Sequence, residues 1–128
     1  MDNKVKYWLE LSDYDFDTAL AMLNSKRFLY VGFMCHQTIE KIFKAYFTSL
    51  KSEPAPYSHS LSYIAKKAGF YDLFLEEQKD FIDQIEPLNI EARYPSYKER
   101  LLKSLTYEKC HEIIERTKEM QKWIKEKL

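Results

Sequence analysis

The sequence predicts an all-α protein, an antiparallel up-and-down bundle of four long helices plus one short helix, in a single domain over residues 1–128. Three observations lead there. Apolar residues recur at spacings of three and four along four separate stretches, the signature of helices with one buried face. No stretch alternates convincingly at period two, and nothing repeats internally. Only two glycines and four prolines are present, too few for a fold built from tight turns.

The first helix is expected over residues 4–23, with Val5, Trp8, Leu9, Ser12, Phe16, Ala19, Leu20 and Leu23 on its inner face. The segment Asn-Ser-Lys-Arg-Phe breaks that pattern. A second helix then runs from about Phe28 to Leu50, burying Phe28, Val31, Cys35, Ile39, Ile42, Phe43, Tyr46 and Leu50. Pro54 and Pro56 lie so close together that the segment after Leu50 must be a loop, because each proline removes a donor and biases its predecessor away from helix. Ser58 or Ser60 can cap a short helix through Leu61, Ile64, Ala65 and Ala68, with Gly69 as its left-handed stop. A further helix is expected over about Glu76 to Ala92, with Leu75, Gln78, Phe81, Ile82, Ile85 and Leu88 on or beside its buried face. Pro87 should force a kink or a restart within it. The stretch Arg-Tyr-Pro-Ser-Tyr-Lys-Glu-Arg-Leu-Leu-Lys-Ser reads as a connection. Thr106 caps the last helix, whose stripe is Cys110, Ile113, Ile114, Thr117, Met120 and Ile124.

Net charge is zero, so no overall field draws the chain to nucleic acid or acidic lipid. The charges are nevertheless blocked: residues 1–24 carry a net −3, 25–71 a net +5, 72–93 a net −5 and 94–128 a net +3. Such alternation suits segments whose oppositely charged faces lie together. Cys35 and Cys110 each fall on an apolar helical stripe and read as buried free thiols in a reducing compartment. The N-terminus has no apolar signal core, and no apolar run is long enough for a bilayer, so a cytoplasmic protein without membrane contact is expected.

Several candidate sites fail on chemistry. Asp13, Asp15 and Asp17 alternate as a calcium loop would begin, but Thr18 stands where glycine is needed and Asn24 where a bidentate Glu belongs. Cys-His occurs twice, at Cys35-His36 and Cys110-His111, yet adjacent helical residues point about 100° apart and cannot chelate as a pair. No metal or cofactor is expected. His36 and Glu40 share one side of the second helix, while Gln37, Lys41 and Lys44 form a neighbouring polar strip. This reads either as a half-buried His–Glu hydrogen bond beside a solvated lysine strip, or as a polar line aimed at another subunit or a phosphate. Arg93 sits where Tyr94-Pro95 should end a helix, a position that favours a cation. Beside Tyr94 and Tyr97 it also offers a bidentate phosphate fork next to aromatic faces able to stack on a base.

Four segments in order carry a resemblance. They are the tyrosine-rich first helix, His-Gln-Thr-Ile-Glu-Lys-Ile-Phe-Lys-Ala-Tyr from His36, His-Ser-Leu-Ser-Tyr-Ile-Ala-Lys-Lys-Ala-Gly from His59, and Glu-Ala-Arg-Tyr-Pro-Ser-Tyr from Glu91. Together they resemble the HEPN family over nearly the whole chain. The resemblance implies a helical bundle that pairs as a symmetric homodimer with a polar groove at its interface. It also implies a minimal nucleotidyltransferase as partner, in a toxin–antitoxin-type pair. Catalytic members are metal-independent ribonucleases that carry an arginine followed four to six residues later by a histidine. Here the corresponding positions are Lys98, Glu99 and Arg100, so that motif is absent. Gln37, Glu40, Lys41, His59, Arg93, Tyr94 and Pro95 occupy family motif positions.

The leading expectation is therefore a nucleotide- or RNA-binding protein without the usual nuclease motif. Its ligand residues would be Arg93, Tyr94, Tyr97, Glu40, Lys41 and Gln37. One rival is a metal-independent ribonuclease that uses Arg93 with a non-standard histidine, His36 or His59. Another is a non-catalytic protein–protein interaction module.

Overall fold

In the computed structural model, residues 2–91 and 94–128 are described, without the side chains at positions 90, 91, 95–98 and 101. The helices are α1 (Asn3–Asn24), α2 (Phe28–Leu50), α3 (Leu61–Ala68), α4 (Glu76–Ile85), α5 (Leu88–Glu91), α6 (Pro95–Ser104) and α7 (Tyr107–Lys125), with one 3₁₀ turn at Tyr71–Leu73. No strand occurs among the described residues. The long helix α2 packs against both other long helices, and α1 runs antiparallel to it.

α2 is central because both of its faces are covered. His36, Glu40 and Lys44 are buried on it along with the expected apolar stripe. Its aromatic residues seed the core: Phe43 stacks on Phe74 at 5.5 Å and meets the edge of Phe70 at 5.3 Å. Phe74 in turn lies 5.2 Å from Trp123 of α7. Phe70 and Phe74 follow Gly69, which caps α3 at φ +85° as its position suggested. That left-handed turn sends the chain back so that both rings reach α2. Thr106 accepts from the Lys109 amide and Ser60 from the Tyr63 amide, as the capping pattern predicts.

The second half of the chain departs from the periodicity reading. Pro87 does produce a restart: α4 ends at Ile85 and the short α5 begins at Leu88. The fourth long helix is therefore two shorter ones. The stretch read as a connection is largely helical, with Pro95 opening the ten-residue α6. Proline disfavours helix at the residue before it but is preorganised for the first helical position. Three residues on the expected stripes are exposed instead, Leu20 at 37%, Leu50 at 49% and Leu75 at 61%. Leu50 ends α2, and Leu75 is the residue before α4, where Gln78 Oε1 accepts its amide at 2.8 Å. Ala92 lies outside the described residues. Leu88 of α5 lies against Gly32 of α2, where an added Cβ would stand 2.7 Å from its Cδ1.

The charge blocks do meet. Asp15 of α1 pairs with Lys41 of α2 at 3.0 Å, and Asp13 with Lys125 of α7 at 2.7 Å. Ser12 is fully buried between them, donating to the Thr38 carbonyl and accepting from Gln121. No helix among the described residues is long and apolar enough to cross a membrane.

Both cysteines are free and buried. Burial pushes the Cys35 thiol from its usual value near 9 up to about 12, and Cys110 up to about 11. The folded state therefore holds these protons where the unfolded state releases them. Their contribution to stability is complete below about pH 9 and falls as pH rises toward 12. Urea midpoints measured across pH 8 to 12 should decline over that range, and a maleimide at neutral pH should label both thiols only after unfolding.

Candidate functional site

Successive turns of α2 place His36, Glu40 and Lys44 on one line, four residues apart. A line of three ionisable side chains inside a helical bundle is stable only if each meets a partner. Glu40, 2% exposed, accepts from Lys44 Nζ at 3.2 Å and lies 2.9 Å from His59 Nδ1. Lys44, 7% exposed, also rests 5.4 Å from the centre of the Trp8 ring. The lysine strip expected to be solvated is thus interior at Lys44. The reason is that α1 and the segment after Leu50 cover it. Lys41 is partly buried and bridges Asp15 and Gln37, at 3.0 Å each.

His36 is fully buried, and its Nε2 lies 3.0 Å from Glu86 Oε2. It does hydrogen-bond a glutamate, as the first of the two readings had it, but the partner is Glu86. Glu40 Oε1 stands 4.0 Å from its other nitrogen, Nδ1, which has no hydrogen-bond partner. Glu86 does more than meet His36. Its Oε1 accepts the Leu61 amide at 2.7 Å and the Ser60 hydroxyl at 3.1 Å, so one carboxylate joins the end of α4 to the N-terminus of α3. Gln37 donates to Asn89 of α5 at 3.0 Å. Six segments, α1, α2, the loop before α3, α3 itself, the end of α4 and α5, are thereby tied by side chains of the same polar cluster.

Of the expected site residues, the cluster collects His36, Gln37, Glu40, Lys41 and His59. Tyr94 is 54% exposed. Arg93 lies outside the described residues, as does the side chain of Tyr97. Sequence reasoning missed Glu86, Asn89 and Asp15. Glu86 had one local signal, a carboxylate immediately before a helix-breaking proline, but its partners lie 25 and 50 residues away in sequence.

Chemically, the notable member is His59. Its side chain is 58% exposed, yet its ring is held by the buried Glu40. The tautomer that donates from Nδ1 to the carboxylate leaves Nε2 as an acceptor directed away from Glu40, the orientation in which a carboxylate holds an imidazole base. His36, by contrast, is sealed from solvent. Among the described residues no group of three His, Cys, Asp or Glu side chains is arranged to hold a metal ion.

Removing one charge from a buried pair leaves the other unpaired, at a cost of about 3–5 kcal/mol. Glu40→Leu and Lys44→Met should each destabilise to that extent in urea titrations. The double variant should recover at least half the loss.

A family model described as "HEPN domain" matches residues 5–128. The fold is similar to the crystal structure of TT1696 from Thermus thermophilus, with a TM-score of 0.85 at 17% identity, covering 99% of this chain and 100% of that one. No curated protein matches the sequence. The family match takes in α1 from Val5 onward and every later helix, including the α2 segment and the α3 start that build the polar cluster, and the chain belongs to the HEPN domain family.

Proposed function

We propose that this HEPN protein binds a nucleotide or a short RNA, and that it does so as the partner of a minimal nucleotidyltransferase in a toxin–antitoxin-type pair. What supports binding is the locked state of the polar cluster. Lys41, Lys44 and Glu40 are all engaged by protein groups, so His59 offers a fixed edge to solvent rather than a mobile set of charges. A fixed acceptor suits a ribose hydroxyl or a base edge, because little ordering is required on binding. Arg93 enters from the sequence, as the phosphate fork beside exposed Tyr94. A homodimer, as the family resemblance implies, would place two such surfaces together. Lys41 would act through Asp15 and Gln37 as a positioning residue, since both hold its ammonium.

Titration with a nucleoside triphosphate and a short RNA, using wild type and Arg93→Ala, tests this reading. Loss of one bidentate phosphate contact should weaken binding by about tenfold or more. Equal affinity of the two proteins would remove Arg93 from the site.

One observation favours a second reading, a metal-independent ribonuclease. A histidine held by a buried carboxylate is equipped to take a proton from a 2′-hydroxyl, with Arg93 stabilising charge on phosphorus. RNA cleavage that persists in chelator and disappears in His59→Asn would establish it. Intact RNA after long incubation with the folded protein would exclude it. His36→Asn should leave any cleavage rate within about twofold, because that ring is sealed from substrate.

A further inference from the structure

A cavity of about 440 Å³ opens between the first turns of α1, the C-terminal half of α2 and the proline-bearing segment before α3. Its walls are Tyr7, Trp8 and Tyr57, with Pro54 and Pro56 holding the loop side. Tyr57 is fully exposed and Tyr7 is 57% exposed, so aromatic surface faces water here without cover. Two prolines within three residues restrict the loop, so the wall they form is largely set before anything binds.

The charged lining is of one sign. Lys4 and Lys44 line the cavity, and among the described residues no Asp or Glu does. Asp2 and Glu53 line an adjoining cavity that shares Lys4, Thr48 and Pro54 with this one. Lys44 is the more telling of the two cations. It is nine-tenths buried, and among the described residues one of the three donors on its ammonium is taken by a carboxylate, Glu40 Oε2. The Trp8 ring lies against it but accepts no conventional hydrogen bond. A desolvated ammonium with donors to spare, at the wall of an aromatic cavity, favours an anionic group placed beside a flat ring.

We propose that this cavity is a binding site for a small planar aromatic acid, its carboxylate directed to Lys44 and Lys4 and its ring held among Tyr7, Trp8 and Tyr57. The volume lies in the range of small-molecule sites and accommodates a fused two-ring ligand. The site is separate from the His59 edge and does not depend on the proposed nucleotide or RNA function.

Naphthoate and its uncharged counterpart naphthamide are suitable probes, followed by nitrogen-resolved NMR of the two tryptophan indoles. Naphthoate should shift the Trp8 indole saturably, with a Kd of about 1 mM or tighter, and leave Trp123 unmoved. Naphthamide should bind at least about fivefold more weakly, because it lacks the charge that Lys44 and Lys4 recognise. Lys44→Met should reduce naphthoate to the level of naphthamide. Tyr57→Ala, at a side chain that is fully exposed and so safe for folding, should also weaken binding. Equal affinity for acid and amide would overturn the proposal. So would shifts centred on Trp123, or the absence of saturation with both probes. Should Lys44→Met fail to fold, Lys4→Met supplies the charge test, and unchanged naphthoate affinity in that variant together with Tyr57→Ala overturns it equally.

Discussion

A carboxylate that is only 2% exposed in the middle of a helix must be met by hydrogen-bond donors, and Glu40 is the point from which much of this bundle is arranged. One donor, Lys44, comes from its own helix a turn later. The other partner, His59, comes from beyond a loop, so the chain between α2 and α3 has to return over the face that carries Glu40. That return covers Lys44 and sets α3 beside α2. Glu86 repeats the arrangement in the second half of the chain, gripping His36 and the first amide of α3 together. Two carboxylates thus fix the relative placement of α2, α3 and the end of α4, where apolar packing alone would leave more freedom in register.

The expense of such a design explains why α2 is also so apolar on its remaining faces. Buried ion pairs contribute little net stability against well-packed hydrocarbon. The aromatic cluster of Phe43, Phe70, Phe74 and Trp123 supplies large buried area beside the polar line. It is the left-handed turn at Gly69 that delivers two of these rings to α2, so one glycine serves both the cap of α3 and the filling of the core.

Much of this was legible in the sequence wherever the signal was local. The stripes of α1, α2 and α7, the caps at Ser60 and Thr106 and the stop at Gly69 depend on residues within a turn of one another. The restart at Pro87 was equally local. Pro95 was ambiguous, because the same residue that discourages helix before it welcomes helix after it, and residues beyond it carry no strong apolar stripe. The polar cluster was half visible. His36, Gln37, Glu40 and Lys41 could be placed on one helix by spacing. That Lys44 is interior, and that Glu86 and Asn89 complete the set, follows from how distant helices dock, which periodicity does not encode.

Charge balance inside the cluster also bears on specificity. Lys41 meets Asp15, Lys44 meets Glu40, and Glu86 faces His36 and a helix N-terminus, so the interior projects little net field toward a ligand. Discrimination on the proposed nucleotide face would then rest with rim groups that keep a free hydrogen-bonding edge, His59 foremost among the described residues. Lys44 is the exception on the other side. It neutralises Glu40, which holds His59, while lining the aromatic cavity at Trp8. A single ammonium therefore stands between the two surfaces, and an anion that drew it away from Glu40 would loosen the carboxylate that orients His59. The two sites are separate in what they would bind, yet they share the charge that keeps each in shape.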